Sequence, residues 1–148
     1  MKRIKIFYIN ILSLILAFIV IGCAEESSSG VLELDAGEPM ILESETCLTV
    51  SSSKPVGITD SFFSFDDRIY IWIHWMNVED MRDVGVEWFE PDDEIPAWSD
   101  VQTIDSTSGY AITWFYIEKP EEGFVEGEWS VDIYLDDDFQ RSHIFFIN

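Results

Sequence analysis

The sequence predicts an all-β protein, an antiparallel β-sandwich of about seven to nine strands. Three observations lead there. Apolar residues recur with a period of two in several segments, Gly, Pro, Ser and Asp clusters separate those segments, and no long stretch carries the 3.6-residue period of a helix. Aromatic residues make up 15% of the 148-residue chain, far more than a disordered chain carries and enough to fill a sizeable core.

The upstream candidate strands are short: "VLELD" from Val31, "MILE" from Met40, "TCLTV" from Thr46 and "GITDSFFSF" from Gly57. In "RIYIWIHWM" the residues Ile69, Ile71, Ile73 and Trp75 alternate with Tyr70, Trp72, His74 and Met76, and the first set is assigned to the core. "DVGVEWFEPDD" places Val84, Val86 and Trp88 on one face and ends in a Pro91-Asp92-Asp93 turn. "YAITWFYI" continues the pattern through Ile112, Trp114 and Tyr116, before "KPEEGFVEG" breaks it. The segment after Gly127 reads as a hairpin. Trp129, Val131, Ile133 and Leu135 point one way, and Asp136-Asp137-Asp138 turns the chain toward His143 to Ile147. Trp75, Trp88, Trp114 and Trp129 are the expected core anchors.

The first 22 residues have a different character. Lys2, Arg3 and Lys5 precede an apolar run from Ile6 to Ile21, broken only by Asn10 and Ser13 and closed by Gly22. Its 16 residues fall short of the ~20 that a spanning helix needs, so a cleaved secretory signal is favoured over a membrane span. Val20-Ile21-Gly22-Cys23 resembles the lipobox of bacterial lipoproteins, with Val20 where leucine is common. The resemblance implies cleavage after Gly22 and lipidation of Cys23. Two or three acyl chains, at about 0.8 kcal/mol per buried CH₂, then anchor the mature chain to a membrane that it does not cross. Ala24, where aspartate would signal inner-membrane retention, favours the outer membrane in a Gram-negative host. The expected organisation is therefore a signal over 1–22, a lipidated cysteine and flexible tether over 23–30, and a β-sandwich over 31–148.

A second resemblance covers most of the mature chain. "FSFDDRIYIWIHW", "VGVEWFEPDD" and "GEWSVDIYLDD" are similar to the immunoglobulin-like modules of secreted bacterial proteins, whose closing hairpin reads G-x-W-x-V-x-[IV]-Y-[LV]-D. Gly127, Trp129, Val131, Ile133, Tyr134, Leu135 and Asp136 fill those places. Asp137 stands where glycine is common. The resemblance implies a fold and no particular activity.

Charge excludes some partners. The chain has a formal charge of −21, and the signal holds three basic and no acidic residues, so its removal leaves −24. Such a surface repels nucleic acid and anionic headgroups. Lipidation of Cys23 leaves Cys47 as the other cysteine, without an internal disulfide partner, and its apolar setting suits a small buried hydrophobe. The acidic clusters Asp66-Asp67, Asp92-Asp93-Glu94 and Asp136-Asp137-Asp138 suit at most calcium, which takes roughly six to eight oxygens. None has EF-hand spacing, and no metal site or other cofactor is assigned.

No G-x-S-x-G, H-E-x-x-H, P-loop or C-x-x-C is present, and no catalytic residue is assigned. The expected function is a non-catalytic binding or structural module at the cell envelope, with an envelope protein or a polysaccharide as partner. An exposed aromatic face of Tyr70, Trp72 and Phe115 would make it a carbohydrate-binding module. A hydrolase built from a carboxylate pair is the remaining alternative.

Overall fold

The computed structural model describes residues 37–148. The signal, Cys23, the tether and the candidate strand at 31–35 lie outside the described residues. The described residues belong to one compact unit. Nine strands follow one another: β1 Met40–Ser51, β2 Lys54–Ile58, β3 Ser61–Phe62, β4 Arg68–Val78, β5 Arg82–Phe89, β6 Trp98–Ile104, β7 Gly109–Glu118, β8 Gly127–Leu135 and β9 Asp138–Ile147. They form a four-stranded sheet ordered β2-β1-β4-β7 and a five-stranded sheet ordered β3-β9-β8-β5-β6. All pairings are antiparallel except β3 with β9.

The period-two pattern explains why the two sheets close on each other. Ile69, Ile71, Ile73 and Trp75 of β4 are buried, and so are Val84, Val86 and Trp88 of β5 and Trp129, Val131, Ile133 and Leu135 of β8. They belong to one continuous core that also takes in Phe62, Phe145 and Ile147. Each fully buried aliphatic side chain contributes about 1.5–3 kcal/mol. Exposing them by a register slip of one residue would forfeit that burial, so the pattern fixes the register.

Strand β7 departs from the sequence-based expectation. Its core side is Thr113, Phe115 and Ile117, while Ile112, Trp114 and Tyr116 face outward. The pairing register gives the reason: Phe115 lies opposite Ile71 and Thr113 opposite Ile73, and directly opposed residues share a sheet face. Trp114 is therefore no core anchor. Trp75, Trp88 and Trp129 are.

Both tight hairpins use left-handed residue pairs, Ser52-Ser53 between β1 and β2 and Asp136-Asp137 between β8 and β9. Positive φ at both central residues is the type I′ signature. Asp137 holds φ +69° without glycine's freedom. Asp137→Gly is expected to raise the unfolding free energy by about 0.5 kcal/mol, relief of left-handed strain outweighing the added flexibility of the unfolded chain. Urea unfolding would show this as a higher midpoint at unchanged slope, and a lower midpoint would contradict it.

Candidate binding face

The outer face of the four-stranded sheet is built by register. Opposite β7, Tyr70 meets Tyr116, Trp72 meets Trp114, His74 meets Ile112 and Met76 meets Tyr110. Opposite β1, the same β4 side chains meet Cys47, Glu45, Glu43 and Met40. Tyr110, Ile112, Trp114 and Tyr116 are exposed along β7, with Trp114 at 38%. A strand advances about 3.4 Å per residue, so Tyr110 to Tyr116 spans about 20 Å.

The three residues expected to form an aromatic face do not come together as one surface. Phe115 is 1% exposed and lies in the core. Trp72 does point to the outer face, but it is only 5% exposed, and its Nε1 donates to the Ser53 carbonyl at 3.0 Å in the β1–β2 turn. Tyr70 is half-buried, its ring 5.2 Å from that of Tyr116. The exposed row is instead Tyr110, Ile112, Trp114 and Tyr116. Both faces of β7 are apolar, so periodicity alone chose the wrong one.

One end of the face opens into a cleft of about 740 Å³ lined by Leu48, Thr49, Asp66, Asp67, Arg68, Tyr70, Glu118 and Lys119. Both of its cations are paired: Arg68 Nη2 donates to Glu118 at 2.6 Å and Lys119 Nζ to Asp67 at 3.0 Å. The Arg68 guanidinium also lies 4.6 Å from the centre of the Tyr116 ring, a cation–π contact that covers one side of it. Trp114 has no aromatic or cationic ring partner among the described residues.

The hydrogen bonds of β7 show which way its backbone points. Lys119 N, just past β7, donates to the Asp67 carbonyl just before β4, placing odd-numbered β7 peptides toward β4. The Trp114 carbonyl instead accepts from Gln102 Nε2 at 2.9 Å, and the Tyr110 carbonyl from Ser106 Oγ at 2.6 Å. Antiparallel peptides alternate in direction. Ile112, Trp114 and Tyr116 therefore aim their N–H and C=O groups off the edge of the sheet.

Polar groups elsewhere act as struts. Arg141 Nη1 donates to Ser44 Oγ at 2.9 Å, and that oxygen also shares a hydrogen bond of 2.8 Å with His143 Nε2. Ser44 is 5% exposed and offers substrate no approach; the contact joins β1 of one sheet to β9 of the other. Burial, with Arg141 beside it, pushes the His143 pKa down. The sign follows from linkage: the unfolded chain takes up the proton first, so stability is complete above the ordinary value of 6.5 and is lost as pH falls through it. Between about pH 7.5 and 5.5 the wild type is expected to lose more thermal stability than His143→Gln. Equal losses would contradict a neutral, load-sharing His143.

Cys47 is fully buried on the outer side of β1, and its Sγ donates to the Thr49 carbonyl at 3.3 Å. Burial pushes its thiol pKa up. The acidic turns are used locally: Asp66 Oδ2 accepts from Phe63 N, Asp93 Oδ1 from Ile95 N, and Asp136 from both Asp83 N and Arg82. Among the described residues no three His, Cys, Asp or Glu side chains converge to hold a metal ion.

No family model matches the sequence, and none of the curated proteins matches it. An alkylpurine DNA glycosylase from Pseudomonas fluorescens, solved bound to DNA, is similar over 76% of this chain and 31% of its own, at 9% identity and a TM-score of 0.48, too weak a likeness to bear on fold or function. An immunoglobulin-like protein from Pseudomonas aeruginosa is similar over 77% of this chain and 99% of its own, at 15% identity and a TM-score of 0.55. At that identity the likeness concerns fold alone. Over the described residues the chain has the fold of an immunoglobulin-like β-sandwich, with two sheets and nine strands.

Proposed function

We propose that this is a lipid-anchored protein of the bacterial cell envelope whose sandwich acts without catalysis as a binding module, through the outer face of its four-stranded sheet. The observation that carries the reading is the exposed row Tyr110, Ile112, Trp114 and Tyr116. It belongs to a run, 106–117, that contains no Asp, Glu, Lys or Arg in a chain of charge −21. Charge-free aromatic surface in an otherwise acidic protein is the composition of an interface core. The lipobox and the polar tether support the anchor, because they would hold this face at a membrane with freedom to reorient.

Two experiments test the two halves. Metabolic labelling with a fatty acid should mark the wild type and not Cys23→Ser; label on the variant overturns the anchor. A photo-reactive residue at position 114 should give adducts in cells, and one at Ile144, exposed on β9 of the other sheet, should not. Equal yields at both positions overturn the face.

A carbohydrate ligand is a second reading, favoured by the cleft in which Tyr70 adjoins paired acidic and basic groups. Burial of Phe115 and Trp72, and Arg68 over Tyr116, reduce the platform open to a sugar ring. A shift in tryptophan emission on adding soluble polysaccharide, lost in Trp114→Ala, would favour it over a protein partner.

A further inference from the structure

The four outer strands of the two sheets are protected unequally. β2 contains Lys54 and Pro55, β3 is two residues long, and β6 carries Asp100 in its middle. Charge, proline and brevity are the devices by which sheets avoid adding a further strand. β7 has none of them: ten residues, neither Lys nor Pro, and no charge before its final Glu118. Its outward peptides are partly masked by side chains, Ser106 on the Tyr110 carbonyl and Gln102 on the Trp114 carbonyl. The N–H and C=O of Ile112 and Tyr116, and the N–H of Trp114, have no protein partner among the described residues.

We infer that β7 is a strand-addition site that takes an extended polypeptide segment, apolar at alternate positions and basic at its ends. The inference rests on the reading of this sheet face as the contact surface and names its occupant. Strand addition supplies main-chain hydrogen bonds at the spacing that the free edge presents, while alternate side chains of the incoming strand pack beside Ile112, Trp114 and Tyr116. Gln102 and Ser106 act as replaceable caps, bonding the carbonyls until a strand displaces them.

Charge decides between occupants. A second copy would bring another −24 to the contact once the signal is removed, which disfavours self-association. The uncharged run is bounded by Asp105 and Glu118, and Asp100 stands on the neighbouring edge strand. Glu118 is already shared with Arg68, so the open carboxylates are Asp100 and Asp105. A segment with lysine or arginine at its ends meets these and the acidic field around them, and a neutral middle meets the uncharged strand.

The test uses the full chain in detergent micelles and a synthetic peptide of about ten residues, an alternating threonine–valine core with lysines at both ends. Backbone amide exchange is followed by NMR. Peptide at about millimolar concentration should slow exchange at Ile112, Trp114 and Tyr116 by about tenfold or more. Ile112→Lys, which places a gatekeeper charge on an exposed position and leaves the ladder to β4 intact, should abolish that protection at unchanged melting temperature. Unchanged exchange, or an equal effect from a peptide with glutamates in place of lysines, overturns the inference. Protection that rises with protein concentration without peptide also overturns it, in favour of a second copy. A ligand that shifts the Trp114 indole and leaves the edge amides unchanged sinks strand addition while sparing the contact face; failure of the cellular crosslink at position 114 sinks both.

Discussion

Trp129→Ala is expected to lower the unfolding free energy by about 3–5 kcal/mol. Trp129 is 1% exposed. Its ring stacks 5.8 Å from Trp98 and 6.2 Å from Phe145, and meets Phe124 edge-on at 5.9 Å. Nε1 donates to the Val125 carbonyl at 2.8 Å, so truncation also leaves that acceptor short of a partner, at a cost of about 1 kcal/mol or more. Total stability in domains of this size is about 5–15 kcal/mol. The variant should therefore unfold many degrees earlier and lose near-ultraviolet circular dichroism first. A change below about 1 kcal/mol would show that the closing hairpin is not anchored by this indole.

Adjacent residues of β7 should behave oppositely. Phe115→Ala removes a ring with 1% exposure from between the sheets and is expected to destabilise by about 3–5 kcal/mol, the usual cost of emptying an aromatic site in a core. Trp114→Ala removes a larger ring from a 38% exposed position and should change stability far less, by about 1 kcal/mol at most. The pair is informative because one-residue parity is at stake. If Trp114→Ala proved the costlier of the two, Trp114 would be the core residue, and the exposed row on which the proposed face depends would not exist.

That parity marks the limit of what the sequence could show. In β4, β5 and β8 one face is uniformly aliphatic or anchored by tryptophan, as in Val84, Val86 and Trp88, and the expected set is buried. In β7 both alternating sets are apolar, and the larger aromatics stand on the solvent side. Only the pairing of Phe115 with Ile71 settles the choice. Thr113 carries a faint signal: a lone hydroxyl on the core face is explained by Trp75 Nε1, which donates to it at 3.1 Å. The partner could not be seen without the fold.

Strand β6 carries no strand signal in its sequence, for a related reason. "WSDVQTI" has no sustained alternation, because it is an outer strand whose residues Ser99 to Thr103 are exposed, and nothing in its burial imposes period two. The covering of Trp72 by the Ser53 carbonyl is a tertiary event of the same kind. The open edge was equally hidden, since strand order, not strand sequence, makes β7 the end of its sheet. Its lack of charge was legible from the start and gained meaning only from that position.

The most direct measurement is residue-resolved amide exchange across β7 in the unliganded full chain. Exchange should alternate: slow at Thr113, Phe115 and Ile117, whose N–H groups bond to β4, and fast at Ile112, Trp114 and Tyr116, whose N–H groups leave the sheet. Uniformly slow exchange along the strand would mean that the edge is already covered, and both the exposed face and the site for an incoming strand would be contradicted.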